Sequence, residues 1–295
     1  MMNCLVQADR QLRAVIERKI TASSDMDDFP PMQLASFYLS ARYQVLGWTT
    51  RRGLWNASGL SVSMALALQP GDTFFDIGAN VGVVTASASY LVKAQGRVHS
   101  FEPSSFTLRY LHRRVRCLGL TNVTINEFAL GDTPGTAILH EFAENFGGAS
   151  SLRSGAWPGH KQVRETPVPV RVLDEYIIKQ CVGPIRMIKI DVQGAEIEVL
   201  HGARRLLASD SSPVLFVEIE QNAQAAFGRS ASDLLTDISD WGYEMFSWRD
   251  EGLVAVRTER DVPAGGHDDV ICLKPNAHRS LYEKLLWLAE RRSRK

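Results

Sequence analysis

The chain has 295 residues, and its 33 lysine and arginine residues balance 33 aspartate and glutamate residues, so the formal net charge is zero. This balance argues against a protein that binds nucleic acid mainly by electrostatic attraction. The hydrophobic content of 45% is typical of a folded globular protein and excludes wholesale disorder. The length suits one large domain with additions, or two small domains.

No run of about 18 apolar residues occurs, so we predict no membrane span. Near the N-terminus, Asp9 and Arg10 stand where a signal peptide would carry apolar residues, and secretion is therefore not expected. The four cysteines are scattered without a CxxC pair, which favours a reducing, cytoplasmic compartment. Neither cysteines nor histidines show metal-ligand spacing, so no metal is predicted.

Two amphipathic helices are predicted first, in residues 5–20 and 34–45. From residue 72 onward, short apolar strands alternate with helices. The predicted elements are strand 73–77, helix 81–93, strand 97–101, helix 105–118, strand 123–129, strand 187–192, helix 195–208 and strand 214–220. This alternation of periods 2 and 3.6 predicts βαβ units and an α/β fold built on a doubly wound, mostly parallel sheet.

Residues 131–172 interrupt the alternation with glycines and prolines, and we predict a hairpin or loop insertion there. Residues 243–248 and 270–273 are predicted strands that pair as an antiparallel ribbon. A last helix is predicted at 281–290, followed by a basic tail at 291–295. The predicted domains are an N-terminal helical cap at 1–69, a main domain at 70–275, and the C-terminal helix and tail at 276–295.

A glycine turn between a strand and a helix is the first chemical signal, in Phe75–Val83 (FDIGANVGV). Gly78 and Gly82 let the chain turn sharply and let a ligand approach the backbone. The free N–H groups of the following helix add partial positive charge. Asp76 places a carboxylate beside the turn, where we expect it to face an ammonium group of a ligand.

Glu102, followed by Pro103, ends the next predicted strand. It stands about 20 residues after Gly82, the separation expected of an acid that accepts hydrogen bonds from ribose hydroxyls. Asn80 takes the middle glycine position of the dinucleotide pattern GxGxxG, which disfavours a pyrophosphate ligand. The two motifs together favour an adenosine ligand without phosphates, such as S-adenosylmethionine.

Together with these two motifs, further segments of the chain resemble the FkbM family of S-adenosylmethionine-dependent methyltransferases. They are Asn122–Asp132, Gly147–Leu152, Val170–Glu175, Ile188–Glu196 and Pro213–Glu220. The resemblance spans residues 70–274, and Ile188–Glu196 (IKIDVQGAE) is its most diagnostic segment. The chain departs from the family at Gln193, where the family usually has glutamate.

The resemblance implies a class I methyltransferase fold, a Rossmann-like sheet of seven strands in which only the last strand, inserted beside its neighbour, is antiparallel. It also implies S-adenosylmethionine as cofactor, and as partner a small-molecule or glycan acceptor, with methylation of a hydroxyl on a sugar, glycolipid or secondary metabolite. The cofactor-binding residues expected on these motifs are Asp76, Gly78, Ala79, Asn80, Gly82, Glu102, Pro103, Glu127, Ala129 and Asp191.

Catalytic residues are expected at the ends of the fourth and fifth parallel strands. Lys189 and Asp191 are two residues apart, so their side chains share one face of a strand. Because buried ionisable groups are costly unless paired or functional, we predict Asp191 as the general base or acceptor-orienting acid, tuned by Lys189. A structural ion pair is the alternative. Glu218 is predicted to line the acceptor pocket, and helix capping is the alternative for Glu218 and Glu220.

Other functions stay open at this point. They are N-methylation, a catalytically silent cofactor-binding protein, which Gln193 keeps open, and nicotinamide-dependent redox chemistry, which Asn80 disfavours. In the insertion, Asn145, Ser150 and Ser151 are candidates for a lid over the site. The acceptor, any metal requirement and the oligomeric state do not follow from the sequence.

Overall fold

The computed structural model describes residues 58–142, 150–156, 159–250, 252–264 and 266–292. The predicted helices at 5–20 and 34–45 lie outside these residues, as do residues 293–295 of the predicted basic tail. The predicted domain boundaries stay predictions.

The strands lie in two sheets. In chain order they are β1 Thr73–Ile77, β2 Arg97–Phe101, β3 Val123–Asn126, β4 Ala129–Gly131, β5 Gly135–Phe142, β6 Gln162–Val172, β7 Met187–Ile190, β8 Val214–Glu220, β9 Glu244–Arg249, β10 Gly252–Val256 and β11 His267–Leu273. The main sheet has eight strands in the order β10-β9-β11-β8-β7-β1-β2-β3, and the smaller sheet has the order β4-β6-β5.

Helices cover both faces of the main sheet. They are α1 Gly59–Ala67, α2 Val83–Val92, α3 Ser105–Leu118, α4 Leu173–Lys179, α5 Glu196–His201, α6 Arg204–Leu207, α7 Gln221–Ala226, α8 Ala231–Asp240 and α9 Arg279–Arg292. Within the described ranges, no helix combines the length and the apolar character that crossing a membrane requires.

The main sheet confirms the predicted doubly wound fold with a reversed strand near its end. Strands β3, β2, β1, β7 and β8 run parallel to one another. Strand β11 is antiparallel to both β8 and β9, as the predicted ribbon requires. The sheet has one strand more than the seven expected, because the segment after β9 turns back at Gly252 and pairs with β9 as β10.

Two predicted elements end differently in the structure. The third strand ends at Asn126 rather than Ala129, because Ala129 begins β4, which pairs with β6 of the smaller sheet. The helix predicted at 195–208 is two short helices, and the Asp174 carboxylate accepts N–H groups in the first turn of the second one. The hairpin predicted in the insertion is present, since β5 and β6 pair as antiparallel neighbours.

The main sheet is buried on both faces, which explains its nearly continuous apolar strands. Phe75 and Ile188 belong to one hydrophobic cluster, together with side chains of α4, α5 and α8. Phe74 and Met187, their neighbours in the chain, belong to the other cluster, with side chains of α1, α2 and α9. Successive residues of a strand point to opposite faces, so these strands carry both cores while their ends stay free for a site.

Candidate active site

A cavity of about 240 Å³ opens where β1, β2, β7 and β8 end. This edge is where open α/β sheets bind their ligands. The cavity is lined by Ile77, Gly78, Asn80, Phe101, Glu102, Pro103, Phe128, Ala129, Leu130, Leu139, Ser150, Ser151, Leu152, Asp191, Val192, Gln193, Ala195 and Glu218. Polar groups from strand ends therefore meet an apolar wall formed by the residues after β3 and by the insertion.

The glycine turn has the sharp backbone that its sequence predicts. Gly78 and Gly82 have φ angles of 75° and 82°, in the left-handed region that favours glycine. A Cβ atom on Gly78 would lie 1.8 Å from the backbone oxygen of Asp191, and one on Gly82 would lie 2.4 Å from Leu111. Gly78 lines the cavity, whereas Gly82 and Ala79 do not, so the second glycine serves helix packing.

Glu102 lies in the cavity wall and is 6% exposed. One carboxylate oxygen accepts the backbone N–H of Asn80 and the other accepts that of Ser104, both at 2.8 Å. Burial raises the pKa of Glu102, and these hydrogen bonds oppose the rise. Each oxygen keeps a further lone pair for a ligand donor. Beside it, the Asn80 side-chain oxygen is buried and has no hydrogen-bond partner among the residues that the structure describes. Pro103 also lines the cavity.

Asp76 is fully buried and does not line the cavity. It is in register with Ser100 and Lys189 of the neighbouring strands, so its side chain shares their side of the sheet. One carboxylate oxygen accepts a hydrogen bond from Thr85 at 2.6 Å, and the other lies 3.7 Å from Lys189 Nζ. Burial raises the pKa of Asp76, and Lys189 opposes the rise. The structure thus directs Asp76 into the interior rather than towards a ligand ammonium group.

Lys189 and Asp191 form an ion pair, with 3.1 Å between Lys189 Nζ and Asp191 Oδ2. Lys189 is buried and also donates to the backbone oxygen of Gly78 at 2.6 Å, which ties the ends of β1 and β7 together. The Asp191 side chain is 35% exposed and lines the cavity. Burial would raise the pKa of Asp191, but the ammonium group of Lys189 and hydrogen bonds from Glu218 and Gln193 lower it. Asp191 is therefore an accessible carboxylate at neutral pH.

Glu218 meets Asp191 at the cavity wall. Burial and the charge of Asp191 raise the pKa of Glu218 to about 11, so Glu218 is protonated at neutral pH. The side-chain amide of Gln193 donates to Asp191 at 2.7 Å and to Glu218 at 2.6 Å. Glu220, two residues further on, instead accepts the N–H of Asn222 at the start of α7. Of the two glutamates, only Glu218 faces the cavity.

The structure and the prediction differ on which side chains after β3 line the cavity. The Glu127 side chain is 59% exposed and contacts His112 at 2.8 Å, outside the cavity. Ala129 lines the cavity as expected, and so does Phe128, which the sequence reasoning missed. The guanidinium group of Arg171 lies 4.2 Å from the centre of the Phe128 ring. Because β3 ends before residue 127, strand alternation no longer governs which of these side chains faces inward.

The insertion contacts both halves of the site. Ser151 donates to the backbone oxygen of Gln193 at 2.8 Å, next to the catalytic candidates. Glu141 of β5 accepts a hydrogen bond from Ser104 at 2.5 Å, next to Glu102. Ser150 and Ser151 line the cavity, as expected of candidates for a cover, whereas Asn145 lies outside the described residues.

His267 and Asp269, at the start of β11, also reach this edge and were not singled out from the sequence. Each of them places one ligand atom within 4.8 Å of the other and of Glu218. Burial and Asp191 raise the pKa of Asp269 to about 6. Exposed carboxylates often lie this close without an ion, so we assign no metal to them. The reversal of β11 explains their position, because its first residues arrive where the parallel strands end.

This strand order, with a glycine turn after the first strand and an acid after the second facing one cavity, defines the class I methyltransferase fold. A family model described as "Methyltransferase FkbM domain" matches residues 76–245, which is more than half of the chain. The chain therefore belongs to the FkbM methyltransferase family.

Solved structures with similar folds include other methyltransferases. Methyltransferase FkbM from Methylobacillus flagellatus KT is 17% identical at a TM-score of 0.47, and the match covers 90% of this chain and 59% of that one. Fibrillarin from Aeropyrum pernix, with natively bound S-adenosyl-L-methionine, is 14% identical at a TM-score of 0.41, covering 75% and 76%. An S-adenosylmethionine-dependent methyltransferase from Aquifex aeolicus is 12% identical at 0.39, covering 83% and 98%. The chain thus spans about three fifths of the Methylobacillus protein, and no curated protein matches its sequence.

Proposed function

We propose that the chain is an S-adenosylmethionine-dependent O-methyltransferase that acts on a hydroxyl of a sugar, glycolipid or secondary metabolite. The observation that carries the proposal is the position of Asp191. It is an ionised, partly exposed carboxylate in the wall of the cavity that Glu102 also lines. Family membership supports the transferred group and the cofactor.

The cavity fits the cofactor in the chemistry of its donors and acceptors. Glu102 offers two oxygens with free lone pairs to the hydroxyls of a ribose. Phe128 and Leu130 offer an apolar surface to an adenine ring. The buried Asn80 oxygen, which has no hydrogen-bond partner within the described part of the chain, offers an acceptor beside the glycine turn. When bound, S-adenosylmethionine supplies an electrophilic methyl group.

The side chains at the ends of β7 and β8 account for the acceptor half of the reaction. Asp191 accepts the proton of the acceptor hydroxyl, a contribution typically worth about 10²–10⁴-fold in rate. Lys189 holds the Asp191 carboxylate in place and keeps it ionised. The walls also orient the acceptor, and orientation alone contributes up to roughly 7–11 kcal/mol in favourable cases.

An N-methyltransferase is the second candidate, and the acidic edge of the cavity favours it. Asp191, Glu218 and Asp269 lie together there, and Lys189, the nearest cation among the described side chains, is buried and already paired. Such an edge attracts a protonated amine, and Asp191 would accept the ammonium proton before the nitrogen attacks the methyl group. An acceptor with both groups, such as an amino sugar, would satisfy either candidate.

Calorimetric titration of S-adenosylmethionine, and separately of NAD, into the protein tests the cofactor. We expect the wild type to bind S-adenosylmethionine and the Glu102→Ala variant to bind it at least tenfold more weakly. Glu127→Ala is the matched control, since this acid is exposed and points away from the cavity. Tighter binding of NAD would overturn the proposed cofactor, and equal loss in both variants would overturn the assignment of Glu102.

Transfer of a labelled methyl group to a panel of acceptors tests the reaction. The panel pairs each hydroxyl compound with its amine analogue. Transfer to hydroxyl compounds with little transfer to the amines supports the proposal, and the reverse pattern supports N-methylation. Cofactor binding without transfer to any acceptor would favour a silent binding protein.

A further inference from the structure

We propose that Gln193 is a positioning residue, whose side-chain amide holds the carboxyl groups of Asp191 and Glu218 together as one proton-sharing pair. The two hydrogens of a primary amide suit this task, because they diverge and each reaches a different acceptor. Gln193 Nε2 lies 2.7 Å from Asp191 Oδ1 and 2.6 Å from Glu218 Oε2. Its side-chain oxygen is buried and meets no hydrogen-bond partner in the described residues, so the donor end of the amide makes the contacts.

The backbone around Gln193 is fixed before any ligand arrives. Gln193 has a φ angle of 57°, in the left-handed region that few non-glycine residues adopt. Ser151 of the insertion donates to its carbonyl oxygen at 2.8 Å. On either side, the carboxylate of Glu196 accepts the N–H groups of Val192 and Gly194, each at 3.1 Å. A strained turn held from both sides places the amide with little freedom, as a positioning role requires.

A glutamate at this position could not do the same work. When ionised it offers no hydrogen, and it would add a second negative charge beside that of Asp191, where like charges raise one another's pKa. Gln193 supplies donors and no charge. The neutral amide therefore lets Asp191 stay ionised while Glu218 keeps the proton.

The charged and titratable groups that surround the pair come from four elements. Lys189 of β7, Asp76 of β1, Glu196 of α5, and His267 and Asp269 of β11 lie around it. Lys189 lowers the pKa of Asp191, whereas Glu196 and Asp269 raise that of Glu218. None of these groups bonds to both members of the pair, and Gln193 does.

Carbon-13 NMR titration of side-chain carboxyl groups in the full-length protein tests the inference without an acceptor. Signals of the pair are assigned with Asp191→Asn and Glu218→Gln. In the wild type we expect two widely separated midpoints. In Gln193→Met, which keeps the length of the side chain and removes its donors, we expect the midpoint of Asp191 to rise by about one unit or more, because its charge loses a donor. We also expect the gap between the two midpoints to narrow, because the amide no longer holds the two carboxyl groups together. Midpoints as far apart as in the wild type would show that Gln193 only fills space.

Two further variants keep the test decisive. Gln193→Glu retains the shape of the side chain, and we expect it to add a third titration that overlaps the other two. Wild-type midpoints in this variant would also overturn the proposal, even if Gln193→Met fails to fold. Gln224→Met is the matched control, because Gln224 is fully buried and, as far as the chain is described, its amide has no hydrogen-bond partner. A control that shifts the midpoints as much as Gln193→Met would assign the effect to packing.

The effect of Gln193 on methyl transfer rests on the proposed function. The experiments distinguish a failure of the proposed function from a failure of the role inferred for Gln193. If the wild type binds no S-adenosylmethionine, the proposed function fails while the titration still decides the role of Gln193. If transfer occurs, the acid limb of the kcat/KM profile is expected to move to higher pH in Gln193→Met, because Asp191 loses a donor that stabilises its charge. An unmoved limb in an active variant contradicts the inference and leaves the methyltransferase assignment intact.

Discussion

Replacing Gly78 by alanine introduces a methyl group at the most crowded backbone position of the site. The new Cβ atom would lie 1.8 Å from the carbonyl oxygen of Asp191 and 2.8 Å from its carbonyl carbon. Neither atom belongs to a flexible side chain, so the ends of β1 and β7 must separate. That movement also stretches the hydrogen bond from Lys189 to the Gly78 oxygen. We therefore expect Gly78→Ala to reduce both stability and cofactor affinity.

The expected cost has two parts. An alanine in the left-handed region costs roughly 1–2 kcal/mol, and Gly78 has a φ angle of 75°. Forcing an extra methyl group into a packed site costs typically about 1–3 kcal/mol. The sum is about 2–5 kcal/mol, which corresponds to a fall in Tm of roughly 4–20 °C for a domain of this size.

Gly242→Ala separates the two parts. Gly242 has a φ angle of 80°, close to that of Gly78, and its Cβ atom would meet nothing within 4 Å. This variant should lose only the conformational part, about 1–2 kcal/mol, and bind S-adenosylmethionine like the wild type. The measurements are urea unfolding and calorimetric titration. If Gly78→Ala costs no more than Gly242→Ala, the crowding argument is wrong.

Three other predictions concern the walls and the charges of the site. Phe128→Ala is expected to weaken binding of S-adenosylmethionine by roughly 1–3 kcal/mol, as for aromatic–base stacking. Glu127→Ala is expected to leave binding unchanged. Equal effects of the two variants in calorimetry would contradict the placement of the adenine. Lys189→Met removes the charge that lowers the pKa of Asp191. The acid limb of the pH–rate profile is therefore expected to move to higher pH. An acid limb that does not move would count against the ion pair. Burial raises the pKa of Glu196 from 4.5 to about 7 in the folded protein, so the folded state holds this proton more tightly. Its contribution to stability is complete below pH 4.5 and lost as the pH rises through 7. Urea unfolding across this range should show a decline of roughly 3 kcal/mol from this group in the wild type and a flatter curve in Glu196→Gln, and identical slopes would refute the assignment.

Local patterns were enough to predict most elements of the main sheet. The strand Arg97–Phe101 and the helix Ser105–Leu118 have the predicted bounds, because an apolar run ends at Glu102 and a serine caps the helix. Strand β10 was missed, although Gly252–Val256 is a short apolar run, because the polar residues around it hid its pairing with β9. The early end of β3 was missed for a related reason, because the smaller sheet takes residues 129–131.

The site was predictable where it depends on strand ends and not where it depends on side-chain direction. Gly78, Glu102 and Asp191 line the cavity because parallel strands end at one edge. Asp76 and Glu127 were assigned to the cofactor, and the structure turns both away from the cavity. Register with neighbouring strands decides the first case and the end of β3 decides the second. Neither is visible in a single segment of sequence.

The reversed strand β11 brings residues from a late part of the chain to the edge of the sheet where the site lies. The glycine turn and Glu102 follow β1 and β2, whereas His267 and Asp269 belong to β11, more than 150 residues later in the chain. Residues at the start of β11 make no contact with the glycine turn among the hydrogen bonds and ion pairs described. Under the proposed function, a library randomised at 267–269 therefore varies the acidic edge of the cavity while the glycine turn and Glu102 stay constant.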